Sequence, residues 1–321
     1  MRYKRLGKSD LEVSVIGVGT WQMGNGEFWS AGMDERDAID TIKAAVSAGI
    51  NLVDTAHIYG AGRSETLVGK ALKEIGRDKV ILATKCGIWF SSGIEYDEST
   101  KCLMCDGHVV RTQIEQSLRR LDTDYIDLYQ IHYAGATPPE ESVAAMVEMQ
   151  KQGKIRYIGI SNFSLDEMKR AFKTGPIASY QPLYSLLDRE NQQQIDFCYE
   201  NNVGVLTYGS IAGGILGGRY RDAADMPKDQ RHDKYPYYKG EGFEKAIKLL
   251  NALDEIAASR QKPVSHVAIN WVNQQKAVTS ALVGLKSVKQ AYENASAGDW
   301  ALSDDELEYI DGAYSRLFGT V

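Results

Sequence analysis

Short apolar runs of strand character alternate along this chain with segments whose apolar residues recur every three or four positions, and that alternation is the tightest constraint on its fold. The runs are Val15 to Gly19, Ile50 to Asp54, Val80 to Lys85, Ile126 to His132, Ile155 to Ile160, Ala178 to Gln181, Val203 to Tyr208 and Val278 to Val283. Between them, Asp34 to Ser47 opens acidic, turns Ala38, Ile39, Ile42, Ala45 and Val46 to one face, and stops at Gly49. Ser64 to Lys73, Val110 to Leu121, the stretch from Pro138-Pro139 to Gly153, and segments at about 190–201 and 243–273 read as helices in the same way. Strands separated by helices pair in parallel through right-handed crossovers, and eight such units fill a chain of 321 residues as an α/β fold, a (β/α)8 TIM barrel in one domain over 1–321. A doubly wound sheet is the competing fold. Against it, Gly17-Val18-Gly19 opens a dinucleotide fingerprint, but Gln22 stands where its third glycine belongs.

Tyr3 to Val15, with Gly7-Lys8-Ser9-Asp10 between two short apolar runs, is expected to form a β-hairpin capping the barrel bottom. About 86–109, about 209–242 and the tail from 299 fall outside the repeat, and insertions that long are usually functional loops at the C-terminal face. Tyr235, Tyr237 and Tyr238 lie in the second and are read as exposed loop packing, with a flap as the alternative.

Composition narrows the function. With 43% hydrophobic and 25% charged residues the chain can build a sizeable core, and 37 Lys and Arg against 43 Asp and Glu, with no long block of either sign, leave no nucleic-acid footprint. Met1 to Val13 carries charges every few residues, so neither a signal peptide nor secretion is expected, and a cytoplasmic location is. The longest uncharged stretch, Asn201 to Gly218, is too polar to span a bilayer. Four cysteines are too few for a disulfide scaffold.

Barrel active sites lie at the C-terminal ends of the strands, so a polar residue closing an apolar strand marks the mouth. Here the closing residues are Asp54, Lys85, His132, Ser161-Asn162, Gln181 and Tyr208. Each alone has an ordinary structural explanation. A carboxylate, an amine and an imidazole converging on one rim point to a site.

Leu52-Val53-Asp54-Thr55-Ala56 with Ile58-Tyr59-Gly60 and Ser64-Glu65, then Ala83-Thr84-Lys85, Gln130-Ile131-His132, Gly159-Ile160-Ser161-Asn162-Phe163 and Tyr180-Gln181-Pro182, resemble the aldo-keto reductases in order and spacing. The resemblance implies an enzyme that interconverts carbonyls and alcohols with a nicotinamide cofactor, and a tetrad of Asp54, Tyr59, Lys85 and His132. Tyr59 would give the proton. A Lys85 ammonium about 4 Å away would stabilise its phenolate by about 4 kcal/mol at an effective dielectric near 20, before desolvation is subtracted. Asp54 would keep Lys85 charged, and His132 would orient the substrate oxygen.

The resemblance also implies an extended nicotinamide cofactor held by Gly19, Thr20 and Trp21 on the first loop, by Asp54, and by Ser161, Asn162 and Gln181 at the carboxamide, with Tyr208 stacked on the pyridine. Gly209-Ser210-Ile211-Ala212-Gly213 follows the seventh strand, where small residues let backbone N–H groups approach a pyrophosphate. Related sequences often carry a basic residue where Gly213 stands, so the pyrophosphate is expected to be held more loosely or under a different loop. Lys286 with Ser287 suits a 2′-phosphate, favouring NADPH over NADH, and Gln290 and Asn294 match adenine positions. Trp21, Trp89 and Phe90 should line the substrate pocket for a small-molecule carbonyl or alcohol, and no metal is expected. Cys102-Leu103-Met104-Cys105, near Cys86 and His108, has metal or redox spacing, but a lone C-x-x-C is weak. Two other functions fit less well: a Schiff-base aldolase using Lys85, against which Asp54 argues, and a non-enzymatic nucleotide-sensing subunit.

Overall fold

The computed structural model describes residues 1–24, 33–90, 101–227 and 229–319. Strands β1 (Tyr3–Arg5) and β2 (Glu12–Ser14) pair antiparallel, with Tyr3 opposite Ser14. The turn between them presses on the barrel so closely that a Cβ on Gly7, at φ +53°, would lie 2.7 Å from the backbone nitrogen of Gly204. Leu6, Leu11 and Val13 thereby pack on Leu52, Ala83, Leu128, Leu206 and Leu282, closing the bottom of the barrel. Each large side chain so buried contributes roughly 1.5–3 kcal/mol.

The expected eight parallel strands form a closed barrel. They are β3 (Ile16–Gly19), β4 (Leu52–Asp54), β5 (Ile81–Cys86), β8 (Ile126–Ile131), β9 (Ile155–Ser161), β10 (Ile177–Gln181), β11 (Gly204–Thr207) and β12 (Val278–Gly284). Both faces of these strands are covered, which explains why their sequences are continuous apolar runs rather than alternating ones. Register sets the rim: Gly19 pairs with Asp54, Asp54 with Ala83, Lys85 with Gln130, Gln130 with Gly159, and Ser161 with Gln181. β6 (Ile88–Phe90) and β7 (Lys101–Leu103) form an antiparallel pair in the first insertion.

The surrounding helices are α1 (Glu35–Ser47), α2 (Arg63–Ile75), α3 (Gly107–Leu121), α4 (Pro139–Lys151), α5 (Leu165–Thr174), α6 (Gln192–Asn201), α7 (Arg231–Lys234), α8 (Gly240–Arg260), α9 (Val264–Asn273), α10 (Val288–Ser296) and α11 (Asp304–Phe318). Several differ from the sequence reading. The tail from 299, expected as a loop at the C-terminal face, is instead mostly helix α11, started by a reciprocal cap between Ser303 and Glu306 and packed on α8, and the short α7 inside the second insertion was not expected. The expected helix at about 243–273 is broken into α8 and α9, because Gln261 takes a left-handed conformation at φ +52° and Pro263 cannot continue a helix. Helix α5 was not expected, since it buries only Met168 and Ala171; its start is fixed instead by a reciprocal cap between Ser164 and Glu167. Among the described residues no helix is long and apolar enough to cross a membrane.

Candidate active site

The parallel register brings Asp54, Lys85 and His132 to one rim, and the loop after β4 adds Tyr59. That loop is held by a tight turn: Gly60, at φ +59°, approaches Gly24 so closely that a Cβ would lie 2.5 Å from its carbonyl carbon. Beneath it, Ser64 Oγ donates to Thr20 Oγ1 at 2.7 Å and lies 3.0 Å from Thr55 Oγ1.

Lys85 has no solvent exposure. Its Nζ donates to Asp54 Oδ2 at 2.5 Å, to the Thr55 carbonyl at 2.8 Å and to the Tyr59 hydroxyl at 3.3 Å, which uses all three N–H bonds of an ammonium. Burial pulls the Lys85 pKa down, and the Asp54 carboxylate opposes that. The sequence argument expects Lys85 to draw the Tyr59 pKa toward neutrality. In the structure it is pushed well above the usual tyrosine value, by burial first, then by the charge of Asp54 and by Tyr133. Asp54 is close enough to Lys85 to cancel much of the ammonium field, so desolvation wins and Tyr59 keeps its proton.

His132 is 8% exposed, stands edge-on to Tyr59 with ring centroids 6.0 Å apart, and stacks on Tyr133 at 5.1 Å. Its backbone is fixed from both sides, by a bond to the Cys86 carbonyl at 2.8 Å and by Asn162 Nδ2 on its own carbonyl at 3.1 Å. Asn162 holds a left-handed conformation at φ +56°, which asparagine tolerates better than most residues. Its Oδ1 accepts from the Tyr208 hydroxyl at 2.8 Å. Ser161 donates to the Gln181 carbonyl at 2.8 Å, and Gln181 Nε2 donates to Asp54 Oδ1 at 2.9 Å.

A cavity of about 940 Å³ runs from these residues outward, near the upper end for cofactor sites. Its lining includes Tyr59, His132, Asp54, Gly19, Thr20, Trp21, Asn162, Gln181 and Tyr208 from the rim, Gly209, Ser210, Ile211 and Gly213 from the turn after β11, and Lys286, Gln290 and Asn294 from the segment after β12. The donor set along it suits an extended dinucleotide: amides and a phenol ring, then a glycine turn, then cations. Ser161, expected at the carboxamide, does not line the cavity: it is buried, with its hydroxyl committed to the Gln181 carbonyl. Ser287, expected beside a 2′-phosphate, does not line the cavity either; it caps α10 by accepting from the Gln290 backbone, while the Gln290 side chain, which does line it, accepts from the Lys286 backbone at 2.8 Å.

Other parts of the site also differ from the sequence reading. Ile88 lines the cavity, and strand alternation turns its neighbour Trp89 to the other face; the Phe90 side chain lies outside the described residues. Tyr235, Tyr237 and Tyr238 are buried rather than exposed, clustered ring on ring against the Gly213 turn, with the Tyr238 hydroxyl on the Gly213 carbonyl at 2.9 Å. Arg231, from α7, reaches the turn at 213: its Nη1 donates to the Gly213 carbonyl at 3.2 Å, while its Nε and Nη2 hold Asp229. Finally, Cys105 meets Cys86, with sulfurs 3.6 Å apart and buried, whereas Cys102 is exposed. Among the described residues, no cluster of three or more His, Cys, Asp or Glu could hold a metal.

Sequence reasoning missed Tyr133, Ile58, Arg219, Tyr220, Arg231 and Lys234, all of which line the cavity. Tyr133 had a signal, since it follows His132 at the rim. The others come from loops and from the single-turn α7, segments too short or irregular to show a period. Lys234 stands over the Trp21 ring at 4.7 Å, and Trp21 in turn stacks on Tyr59 at 6.2 Å.

Fold and site together define a barrel oxidoreductase. Residues 15–315 match the profile of the Aldo/keto reductase family, and the chain belongs to it. It is 36% identical over 315 residues to aldo-keto reductase YhdN of Bacillus subtilis, covering 97% of this chain and 93% of that protein. It is 34% identical to the NADH-specific methylglyoxal reductase of Escherichia coli, covering 93% and 94%. Glycerol dehydrogenase AKR11B4 from Gluconobacter oxydans superposes with a TM-score of 0.90 at 32% identity, covering 99% of this chain and 97% of that one.

Proposed function

We propose that this reductase interconverts small aldehydes or ketones and their alcohols, with Tyr59 as proton donor and NADPH preferred over NADH. The observation that carries the reading is the convergence of Lys85 on Asp54 and Tyr59, at 2.5 and 3.3 Å, with Tyr59, Asp54 and His132 all lining a cavity of about 940 Å³. A bound nicotinamide supplies the hydride. Tyr59 gives the carbonyl oxygen its proton, His132 orients that oxygen, and Lys85 stabilises the phenolate that remains. Gln181 and Asn162 would hold the carboxamide, Tyr208 the pyridine face, and the glycine turn at 209–213 with Arg231 the pyrophosphate. Lys286 and Arg219 favour a 2′-phosphate, although the related Escherichia coli enzyme is NADH-specific. Trp21, Tyr133, Ile58 and Ile88 give the substrate end apolar and aromatic walls, fit for a small carbonyl compound.

The aldolase reading fails on Lys85, whose three N–H bonds are all committed and whose nitrogen is out of reach of solvent. An imine-forming amine must be neutral and free to attack. A panel of carbonyls and alcohols, followed by NADPH and NADH absorbance, tests the proposal. Turnover faster with NADPH supports it; tight cofactor binding with no turnover of any carbonyl would favour a sensing subunit instead.

A further inference from the structure

Asp54 meets a buried pair of amides that the tetrad does not account for. Its Oδ2 faces Lys85, while its Oδ1 accepts from Gln130 Nε2 at 3.1 Å and from Gln181 Nε2 at 2.9 Å. Gln181 Nε2 also reaches Gln130 Oε1, at 3.2 Å. Only one orientation of the Gln130 amide satisfies both neighbours, because turning it over would set its carbonyl against a carboxylate and its NH2 against another NH2. Gln130 is fully buried, in β8 beside Lys85 in register. Its place is kept open by Gly159 on β9, where a Cβ would lie 2.8 Å from Gln130 Cγ.

We infer that Gln130 is a positioning residue for the tetrad, which sets how much of the Lys85 charge reaches Tyr59; the inference rests on the reading of Tyr59 as proton donor. Asp54 offsets Lys85 through one oxygen, and N–H bonds to the other draw its charge away from the ammonium. The less Asp54 offsets Lys85, the more the phenolate of Tyr59 is stabilised. Gln130 supplies one of those bonds and, through its own carbonyl, aims the Gln181 amide that supplies the second. Because Gln181 also lines the cavity where the carboxamide would sit, the two amides connect the cofactor end of the site to the Tyr59 proton.

Gln130→Met keeps the volume and removes both polar atoms. Asp54 then offsets Lys85 more fully, and Tyr59 becomes a weaker acid. We expect kcat for carbonyl reduction to fall about tenfold, KM for the cofactor to change less than about twofold, and the alkaline limb of the rate profile to move up by about half a pH unit or more. A role confined to packing would lower the rate without moving the limb. Gln130→Glu adds a signature of its own. Protonated, its carboxyl can donate to Asp54; ionised, it repels it. Activity should therefore stand near wild type at acid pH and disappear as pH rises, well below the wild-type limb.

A readout without turnover separates this inference from the assigned reaction. The ultraviolet difference between each protein and its Tyr59→Phe counterpart during alkaline titration isolates the ionisation of Tyr59. Its midpoint should be higher in Gln130→Met than in wild type, even if no carbonyl tested is a substrate. Unmoved midpoint and limb in a folded Gln130→Met protein overturn the inference. Should that variant not fold, a Gln130→Glu profile parallel to wild type at every pH overturns it equally.

Discussion

The Lys85 ammonium and the Asp54 carboxylate form a closed ion pair, 2.5 Å apart, with side-chain exposures of 0% and 4%. Burying two charges costs several kcal/mol each, so such a pair holds together through geometry and further hydrogen bonds rather than through attraction alone. Here the further bonds are the Thr55 carbonyl and Tyr59 on the lysine side and two glutamine amides on the carboxylate side. Removing one partner should be costly. Asp54→Asn leaves an uncompensated ammonium, and we expect a loss of about 3–5 kcal/mol near neutral pH. Because burial already lowers the Lys85 pKa, the variant can shed that proton as pH rises, so the deficit should shrink in alkaline solution. Denaturant unfolding at neutral and alkaline pH checks both points; a deficit independent of pH would mean that Lys85 is not the group left unpaired.

Tyr59→Phe removes one hydroxyl from the inner end of the cavity and leaves the glycine turn and the cations untouched. Carbonyl reduction should fall by about 10²–10⁴-fold, the usual worth of a positioned acid. NADPH binding, followed by quenching of tryptophan fluorescence, should persist. Wild-type turnover in this variant would remove Tyr59 from the mechanism.

The rim was legible in the sequence because Asp54, Lys85 and His132 each end an apolar strand, and a closed parallel barrel brings strand ends to one rim, here staggered by two residues from strand to strand. The barrel was legible for the same reason, repetition. What escaped was set by contacts between distant segments that leave no period. Arg231 and the tyrosines at 235 and 238 fold back on Gly213, and nothing in either stretch announces the other. Gln130 escaped differently: it sits inside a strand, two residues before the rim, where an apolar side chain is the ordinary expectation. A polar residue there was itself the signal. Helix α5 was missed because its capping box, not its thin apolar face, marks it.

Lys286 stands at the outer end of the cavity, its pKa lowered by partial burial and by the neighbouring cation of Arg231, with Arg219 adding to the same field. Asp229, paired with Arg231 at 2.8 Å, offsets part of that field, and a 2′-phosphate beside Lys286 would add a second anion to it. Lys286→Ala should weaken NADPH by about 10–100-fold, the worth of one hydrogen bond to a charged group, and NADH far less. Affinities of both cofactors, measured by fluorescence at fixed ionic strength, decide it; equal losses would assign Lys286 to another part of the cofactor.

His57, between Asp54 and Tyr59 on the same loop, gives a stability prediction with a defined sign. Burial first, then the charge of Arg120, lower its pKa from 6.5 to about 4, and bonds to the backbone of Lys85 and Ile88 only partly oppose this. The imidazole is therefore neutral in the fold down to about pH 4, while in the unfolded chain it takes up a proton near 6.5. Between those two values the unfolded state binds more protons. Its contribution is fully present above the unfolded value and is lost as pH falls toward the folded one, amounting to roughly 3 kcal/mol at most. His57→Gln, whose amide can keep a backbone bond but cannot titrate, should flatten this part of the profile. Unfolding free energies of wild type and variant, compared at about pH 7 and about pH 4.5, measure the difference. If the two proteins lose stability in parallel over that interval, the acid sensitivity of the fold lies with other groups, and His57 is solvated enough to titrate normally.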